Sequence, residues 1–325
     1  MMARSRSASS ACSMAARASG RTGAQPRPSS SWVRRVAERS VPSLRQRYRE
    51  IPTTTASLGM AQASRGEARL EGSVAVLTGA SSGIGRRLAL TMADRGATVV
   101  GIARRGGLLT ELEHQIRSRS GAFSSRVCDI SDSEQFGRIL HEIETEHRRV
   151  DIMVNNAGVE SLTSADGATV GDYRSMFDVN FFAVVTGTLS VLPGMLARRS
   201  GIIVNVASDA ARAPEPGHSA YAASKAAVAV FSESVALEVA GRGVRVHALY
   251  PAWVPTAMGL SGLQDGGGLP PRLVRRSEEQ VADLVLRRMG GRRVDINASR
   301  LPLLAIGARV LFPVPYQWIM QRRGR

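Results

Sequence analysis

The chain has 325 residues, 43% of them hydrophobic, and a net charge of +16. That length and apolar share suit one full-sized globular core with tails and exclude a fibrous or wholly disordered chain. Residues 1–70 hold 13 Arg and 3 Glu, a net of +10; only +6 is left for the remainder, so no basic groove for nucleic acid is indicated.

The leader, residues 1–70, is rich in Arg, Ser and Ala, has no acidic residue before Glu38, and has no sustained apolar period. Such a segment cannot bury enough apolar surface to order itself and is expected to be disordered. It lacks the apolar core of a secretory signal, while its composition resembles an organellar transit peptide. A start at Met60 would instead leave a short ordinary leader.

From Ser73 onward the pattern alternates strand and helix. Strands are predicted at 74–77, 97–103, 123–128, 150–154, 202–206 and 244–250, and helices at 84–95, 108–119, 132–147, 172–180, 181–199 and 222–240. Nearly continuous apolar strands separated by helices predict an α/β fold: a single doubly wound, Rossmann-like domain, its mostly parallel sheet flanked by helices on both faces. Ligands of such folds sit at the carboxyl ends of the strands. Cys128 is expected as a buried residue of the third strand, and its wide separation from Cys12 gives neither a disulfide framework nor metal spacing.

Between the first strand and first helix lies Thr78-Gly79-Ala80-Ser81-Ser82-Gly83-Ile84-Gly85. Glycines in that turn let the backbone approach a pyrophosphate, whose charge the helix N-terminus favours, so a dinucleotide is the expected cofactor. The second strand ends in Ala103, Arg104 and Arg105. An acid there would bind a ribose 2′-hydroxyl, whereas arginines can pair with a 2′-phosphate; NADP(H) is therefore preferred over NAD(H).

Tyr221 and Lys225 stand four apart at the start of an Ala-rich helix, hence on one face. An ammonium beside a phenol favours the phenolate and brings the phenol toward the range of a general acid or base. Lys225 is also the one lysine among 43 basic residues, a place where arginine's bulkier guanidinium would not substitute.

Taken together these motifs resemble the classical short-chain dehydrogenase/reductase family over roughly residues 70–300. The family's glycine motif is matched by Thr78, Gly79, Gly83 and Gly85, with Ser81 and Ile84 in the same loop. Its fourth-strand motif is matched by Asn155-Asn156-Ala157-Gly158, and its catalytic tetrad by Asn180, Ser208, Tyr221 and Lys225. The resemblance implies that Asp129, followed by Ile130, binds the adenine side, and that Pro251, Val254 and Thr256 meet the nicotinamide carboxamide. It also implies that Tyr221 exchanges the proton on a carbonyl oxygen and that Ser208 donates a hydrogen bond to it. Lys225 would bind the nicotinamide ribose, and Asn180 would hold a water in a proton relay. Ala252 departs from the family's usual glycine. No metal is implied.

The expected activity is NADPH-dependent reduction of a hydrophobic ketone or aldehyde, or the reverse alcohol oxidation. The alternatives are a non-redox epimerase or dehydratase on the same tetrad, and a nucleotide-sensing binding protein. The loops 209–219 and 253–276 carry Ala210, Ala213, Pro214, Trp253, Met258, Leu260, Leu263 and Leu269, with few fixed charges expected near the carbonyl. A helix at 277–289, opened by Ser277 and Gln280 as a capping box, and a strand at 293–297 close the domain. Residues 301–325 form an apolar tail ending in basic residues, too interrupted by Arg309, Pro313 and Pro315 to span a membrane. It is expected over the cleft, at an oligomer interface, or at a membrane surface. Pairing through the helices 181–199 and 222–240 would give a homodimer or homotetramer, and the expected location is cytoplasmic, free or associated with a membrane.

Overall fold

A computed structural model describes residues 70–261 and 269–323. The leader, and Leu263 with the middle of its loop, lie outside the described residues. The described chain runs β1 Val74–Thr78, α1 Gly83–Asp94, β2 Thr98–Ala103, α2 Gly106–Arg117, β3 Ala122–Val127, α3 Ser133–His147 and β4 Ile152–Asn155. It continues through α4 Val170–Phe177, a π-helical turn Asp178–Phe182, α5 Ala183–Ala197, β5 Gly201–Val206, α6 Ser219–Glu238 and β6 Val244–Tyr250. It ends with α7 Ala257–Ser261, α8 Glu278–Arg288, β7 Asp295–Asn297, α9 Leu301–Leu311 and α10 Pro313–Arg323.

The seven strands form one sheet in the order β3-β2-β1-β4-β5-β6-β7, every neighbouring pair parallel. The order reverses between β1 and β4, which opens a crevice at their carboxyl ends. β1, β4 and β5 are buried along their whole length, as a sheet covered on both faces requires. Two cores flank the sheet. One gathers Leu88, Leu109, Leu112 and Val285 from α1, α2 and α8. The other gathers Phe136, Leu140, Ile143 and Met195 from α3 and α5.

Two sequence expectations are corrected. The helices read separately at 172–180 and 181–199 are one continuous path, because the widened turn at Asp178–Phe182 carries the chain from α4 into α5 without a break. Residues 170–197 are long and apolar enough to cross a membrane by length and composition, yet Ala183, Val184, Val191 and Met195 are buried, the pattern of a core helix. Cys128 is buried but stands just past β3, its amide donating to the Ala103 carbonyl at 3.1 Å. The tail forms α9 and α10, with Pro302 tolerated in the first turn of α9. The capping box at α8 is present as read, Ser277 and Gln280 each accepting the other's backbone amide.

Candidate active site

The carboxyl ends of β1 and β4 are stitched together by Thr78. Its hydroxyl accepts from the Asn156 amide at 3.0 Å and the Ala157 amide at 3.1 Å, while Asn156 Nδ2 donates to the Thr78 carbonyl at 3.0 Å. Gly79 and Gly83 adopt φ of 69° and 59°, open to glycine at no steric cost. A Cβ on Gly85 would strike the Gly79 carbonyl. The loop is thus drawn tight, and a crevice of about 280 Å³ opens beside it, lined among others by Gly83, Ile84, Ile130, Ala157, Pro251 and Thr256. Thr78 and Gly85 lie behind that wall and hold its shape.

Arg105 folds onto the glycine loop, donating to Ser81 Oγ at 3.0 Å and Ser82 Oγ at 2.6 Å. Arg104 reaches the other way, to Asp129 at 3.6 Å. Burial acts to raise the Asp129 carboxyl, but hydrogen bonds from Ser131 together with Arg104 outweigh it and hold the group below its ordinary range. The crevice therefore ends in two guanidinium groups and two serine hydroxyls, a donor set that matches a phosphate. This cradle fits a dinucleotide.

Tyr221 lies in the first turn of α6, facing Ser208 at the end of β5. The Ser208 hydroxyl is hydrogen-bonded to the phenol, and it also accepts from the Ala210 amide at 3.2 Å. Lys225 is buried one turn on, its Nζ donating to the Val206 carbonyl at 2.8 Å. Burial lowers the Lys225 ammonium to about 8, against the opposing pull of Glu160. Asn180, fully buried in the π turn, accepts from the Val159 amide at 2.8 Å and donates to the Val159 carbonyl at 2.9 Å and Ser224 Oγ at 3.1 Å. A Cβ on Gly158 would lie 3.1 Å from Asn180 Oδ1 and 3.3 Å from Lys225 Nζ, so a small residue there lets the two converge.

Two expectations about this group change. The Tyr221 phenol is pushed up, not down: burial dominates, Glu160 and Asp209 add to it, and the Ser208 hydrogen bond only partly offsets them. Lys225 Nζ is 6.0 Å from the ring centroid and is committed to Val206, which is why its influence is weak in this arrangement. The Asn180 side chain is spent on Val159 and Ser224, so any water it serves must use its main chain.

Beyond Tyr221 lies a second cavity of about 550 Å³. One wall is apolar, formed by Trp253, Met258, Val274, Leu301, Pro302 and Ala305. The facing wall carries Glu160, Asp209, Glu215 and His218, contrary to the expectation of few fixed charges. Glu160 meets His218 Nε2 at 3.3 Å. Burial raises the Glu160 carboxyl, opposed by His218 and Lys225. Asp209 is pushed up to about 6 by burial, and its Oδ1 has no hydrogen-bond partner among the described residues. Sequence reading passed over these four, although Glu160 is two residues beyond Gly158, Asp209 adjoins Ser208, and His218 precedes Tyr221 by three. Of the loop apolars named from the sequence, Ala210, Ala213, Trp253 and Met258 line the cavity; Leu260 and Leu269 are exposed.

After β6, Val254 is buried, Trp253 pairs its backbone with Val274 and Arg276, and Thr256 Oγ1 accepts from Gly259 at 3.2 Å. Ala252 sits at φ 63°, the left-handed conformation that glycine serves elsewhere.

A tyrosine and lysine facing a serine, at the mouth of a glycine-lined crevice on a parallel sheet, define a nucleotide-dependent oxidoreductase. Residues 73–265 match the family model for short chain dehydrogenase, and the chain belongs to that family. A dehydrogenase/reductase SDR family protein 7-like of Anopheles gambiae is 31% identical, over 82% of this chain and 88% of its own length. A short chain dehydrogenase of Pseudocercospora fijiensis is 38% identical over 60% of this chain, which spans 64% of that protein. A putative NAD(P) dependent gluconate 5-dehydrogenase from Beutenbergia cavernae, solved with bound NADP, superposes with a TM-score of 0.66 at 31% identity, covering 73% of this chain and 100% of that one. A short chain dehydrogenase/reductase from Burkholderia phymatum, solved with NAD, gives a TM-score of 0.68 at 26% identity, covering 75% and 95%. Relatives thus bind either dinucleotide.

Proposed function

We propose that the protein is an NADPH-dependent reductase of hydrophobic ketones or aldehydes, working in reverse as an alcohol dehydrogenase. The observation that carries this reading is the Tyr221 phenol in the wall common to the two cavities, with Ser208 beside it on the wall of the larger one. A bound nicotinamide supplies the hydride to the carbonyl carbon. Ser208 donates a hydrogen bond to the carbonyl oxygen as negative charge grows there, and Tyr221 gives that oxygen its proton, a contribution of about 10²- to 10⁴-fold for a placed general acid. A phenol held neutral by burial carries that proton at working pH. Lys225, with Asn180 and Gly158 beside it, would pass a proton to Tyr221 and be reprotonated in turn from solvent, and would bind the nicotinamide ribose.

NADPH is preferred in this reading because the crevice ends in Arg104, Arg105, Ser81 and Ser82, a set that suits a 2′-phosphate. The substrate combines an apolar body, against Trp253 and Leu301, with a carbonyl free of anionic substituents, since Glu160 and Asp209 would repel them. Exposed Phe182, Leu189, Val230 and Leu237 on and beside α5 and α6 support self-association into a dimer or tetramer through those helices. A cytoplasmic location belongs to the same reading, to be checked by cell fractionation.

The test is NADPH and NADH oxidation against ketones and aldehydes graded by chain length. Turnover with NADPH that rises with apolar length and vanishes in Tyr221→Phe, with NADPH binding retained, is the expected result. A Tyr221→Phe enzyme at wild-type rate would sink the mechanism. Carbonyl conversion without NADPH consumption would favour the epimerase or dehydratase alternative.

A further inference from the structure

Helices α9 and α10 carry an apolar surface that the other described residues leave uncovered. In α9, Pro302 is buried and Ala305 partly buried, lining the substrate cavity, while Leu304, Val310 and Leu311 are each 70–71% exposed. Leu303, Leu304, Gly307, Val310 and Leu311 recur at three- and four-residue steps and so share one outward stripe. A Cβ built on Gly307 meets nothing within 4 Å, which confirms that this face is open. The stripe continues through Phe312 and Val314 to Trp318 and Ile319 in α10, all more than half exposed.

Charge says what fits there. Residues 296–325 contain Arg300, Arg309, Arg322, Arg323 and Arg325 and no acidic residue. Arg322 stacks on the Trp318 ring at 3.5 Å, placing a cation and an amphipathic aromatic side by side. An apolar stripe edged by arginines and Trp is the surface of a helix that lies in a lipid interface, its cations at the headgroups. A second copy of this chain would present the same positive rim to itself, and like charges across an interface oppose pairing. Arg309 donates to the Arg212 carbonyl at 3.2 Å, and Arg212 pairs with Asp295 and stacks on Tyr250 at 3.2 Å. The helix is thereby tied to the wall of the catalytic domain.

We propose that the outer face of α9 and α10 docks on an anionic lipid surface and holds the substrate cavity, whose wall α9 also forms, against the membrane. Apolar carbonyl compounds dissolved in the bilayer would then enter beside Leu301 and Pro302 without crossing water.

The experiment is flotation of the full chain with phosphatidylcholine vesicles, with and without phosphatidylserine, for the wild type and the double variant Leu304→Asp, Leu311→Asp. The wild type is expected to float with phosphatidylserine-containing vesicles and to be released by salt. The variant is expected to bind roughly tenfold or more weakly, since two charges enter the apolar face, with unchanged turnover of a small water-soluble ketone. Absence of flotation with either vesicle overturns the proposal. Equal binding by both proteins overturns it too, and assigns the lipid affinity to the basic residues 1–69 present in both. An oligomer that the variant splits, with no vesicle binding, makes the face a contact between copies and is equally fatal. Vesicle binding is read without catalysis, so its failure is distinct from failure of the reductase reading.

Discussion

Asp209→Asn tests the electrostatics of the substrate cavity directly. The Asp209 carboxyl is raised from 3.8 to about 6, chiefly by burial, with Arg212 pulling the other way and Oδ1 left without a partner among the described residues. A folded-state value above the ordinary one means that the charged form is disfavoured by folding. The associated stability is present at low pH and lost as pH rises through about 6. At ~1.4 kcal/mol per pH unit, the two-unit displacement corresponds to roughly 2–3 kcal/mol. Asparagine cannot ionise, so the variant does not lose this stability. Urea unfolding at about pH 4 and about pH 7.5 should show the variant gaining roughly 2–3 kcal/mol on the wild type between the two. Parallel pH profiles for the two proteins would refute the idea that a buried, unsatisfied carboxylate lines the cavity.

Ala252→Gly should stabilise the fold by roughly 0.5–1 kcal/mol, the cost of left-handed alanine less the extra freedom of unfolded glycine, read as a higher urea midpoint; an unchanged or lower midpoint argues against strain at that turn. Arg105→Glu should raise KM for NADPH by about tenfold or more while sparing NADH, because the charge-assisted contact serves only the 2′-phosphate. Equal losses with both dinucleotides would instead tie Arg105 to the glycine loop's shape.

Elements driven by local pattern were legible in the sequence. The strands were placed within a residue or two, and β6 without error; β1, β4 and β5 were legible because a strand buried on both faces is nearly continuously apolar. The glycine loop and the tetrad were legible for a different reason: each chemical task fixes residue type and spacing together. Asn180 marks the limit. Nothing in Asp178–Phe182 announces a π turn, since the same residues suit an α-helix, and the wider turn is imposed by tertiary packing of the buried amide against Val159 and Ser224. The charged cavity wall was hidden likewise. Glu160 comes from the loop after β4, Asp209 and His218 from opposite ends of the loop between β5 and α6, and their meeting depends on how those two loops fold over the sheet.

The tetrad's electrostatics follow from that meeting. In the Ala-rich face of α6, Tyr221 and Lys225 alone would form a phenolate–ammonium pair, as their spacing implies. The fold instead places Glu160 near both: it raises the phenol and opposes the fall of the ammonium. The buried phenol therefore keeps its proton, while Lys225, at about 8, can lose or regain one close to working pH. A proton acid at Tyr221 backed by a titrating lysine suits reduction, in which the site must give a proton to oxygen and then be refilled. Alcohol oxidation needs the phenol to lose that proton, and added positive charge beside it is what would permit this. Burial is the larger influence on the Tyr221 phenol, and Glu160, although outside the tetrad, adds to it in keeping the phenol protonated.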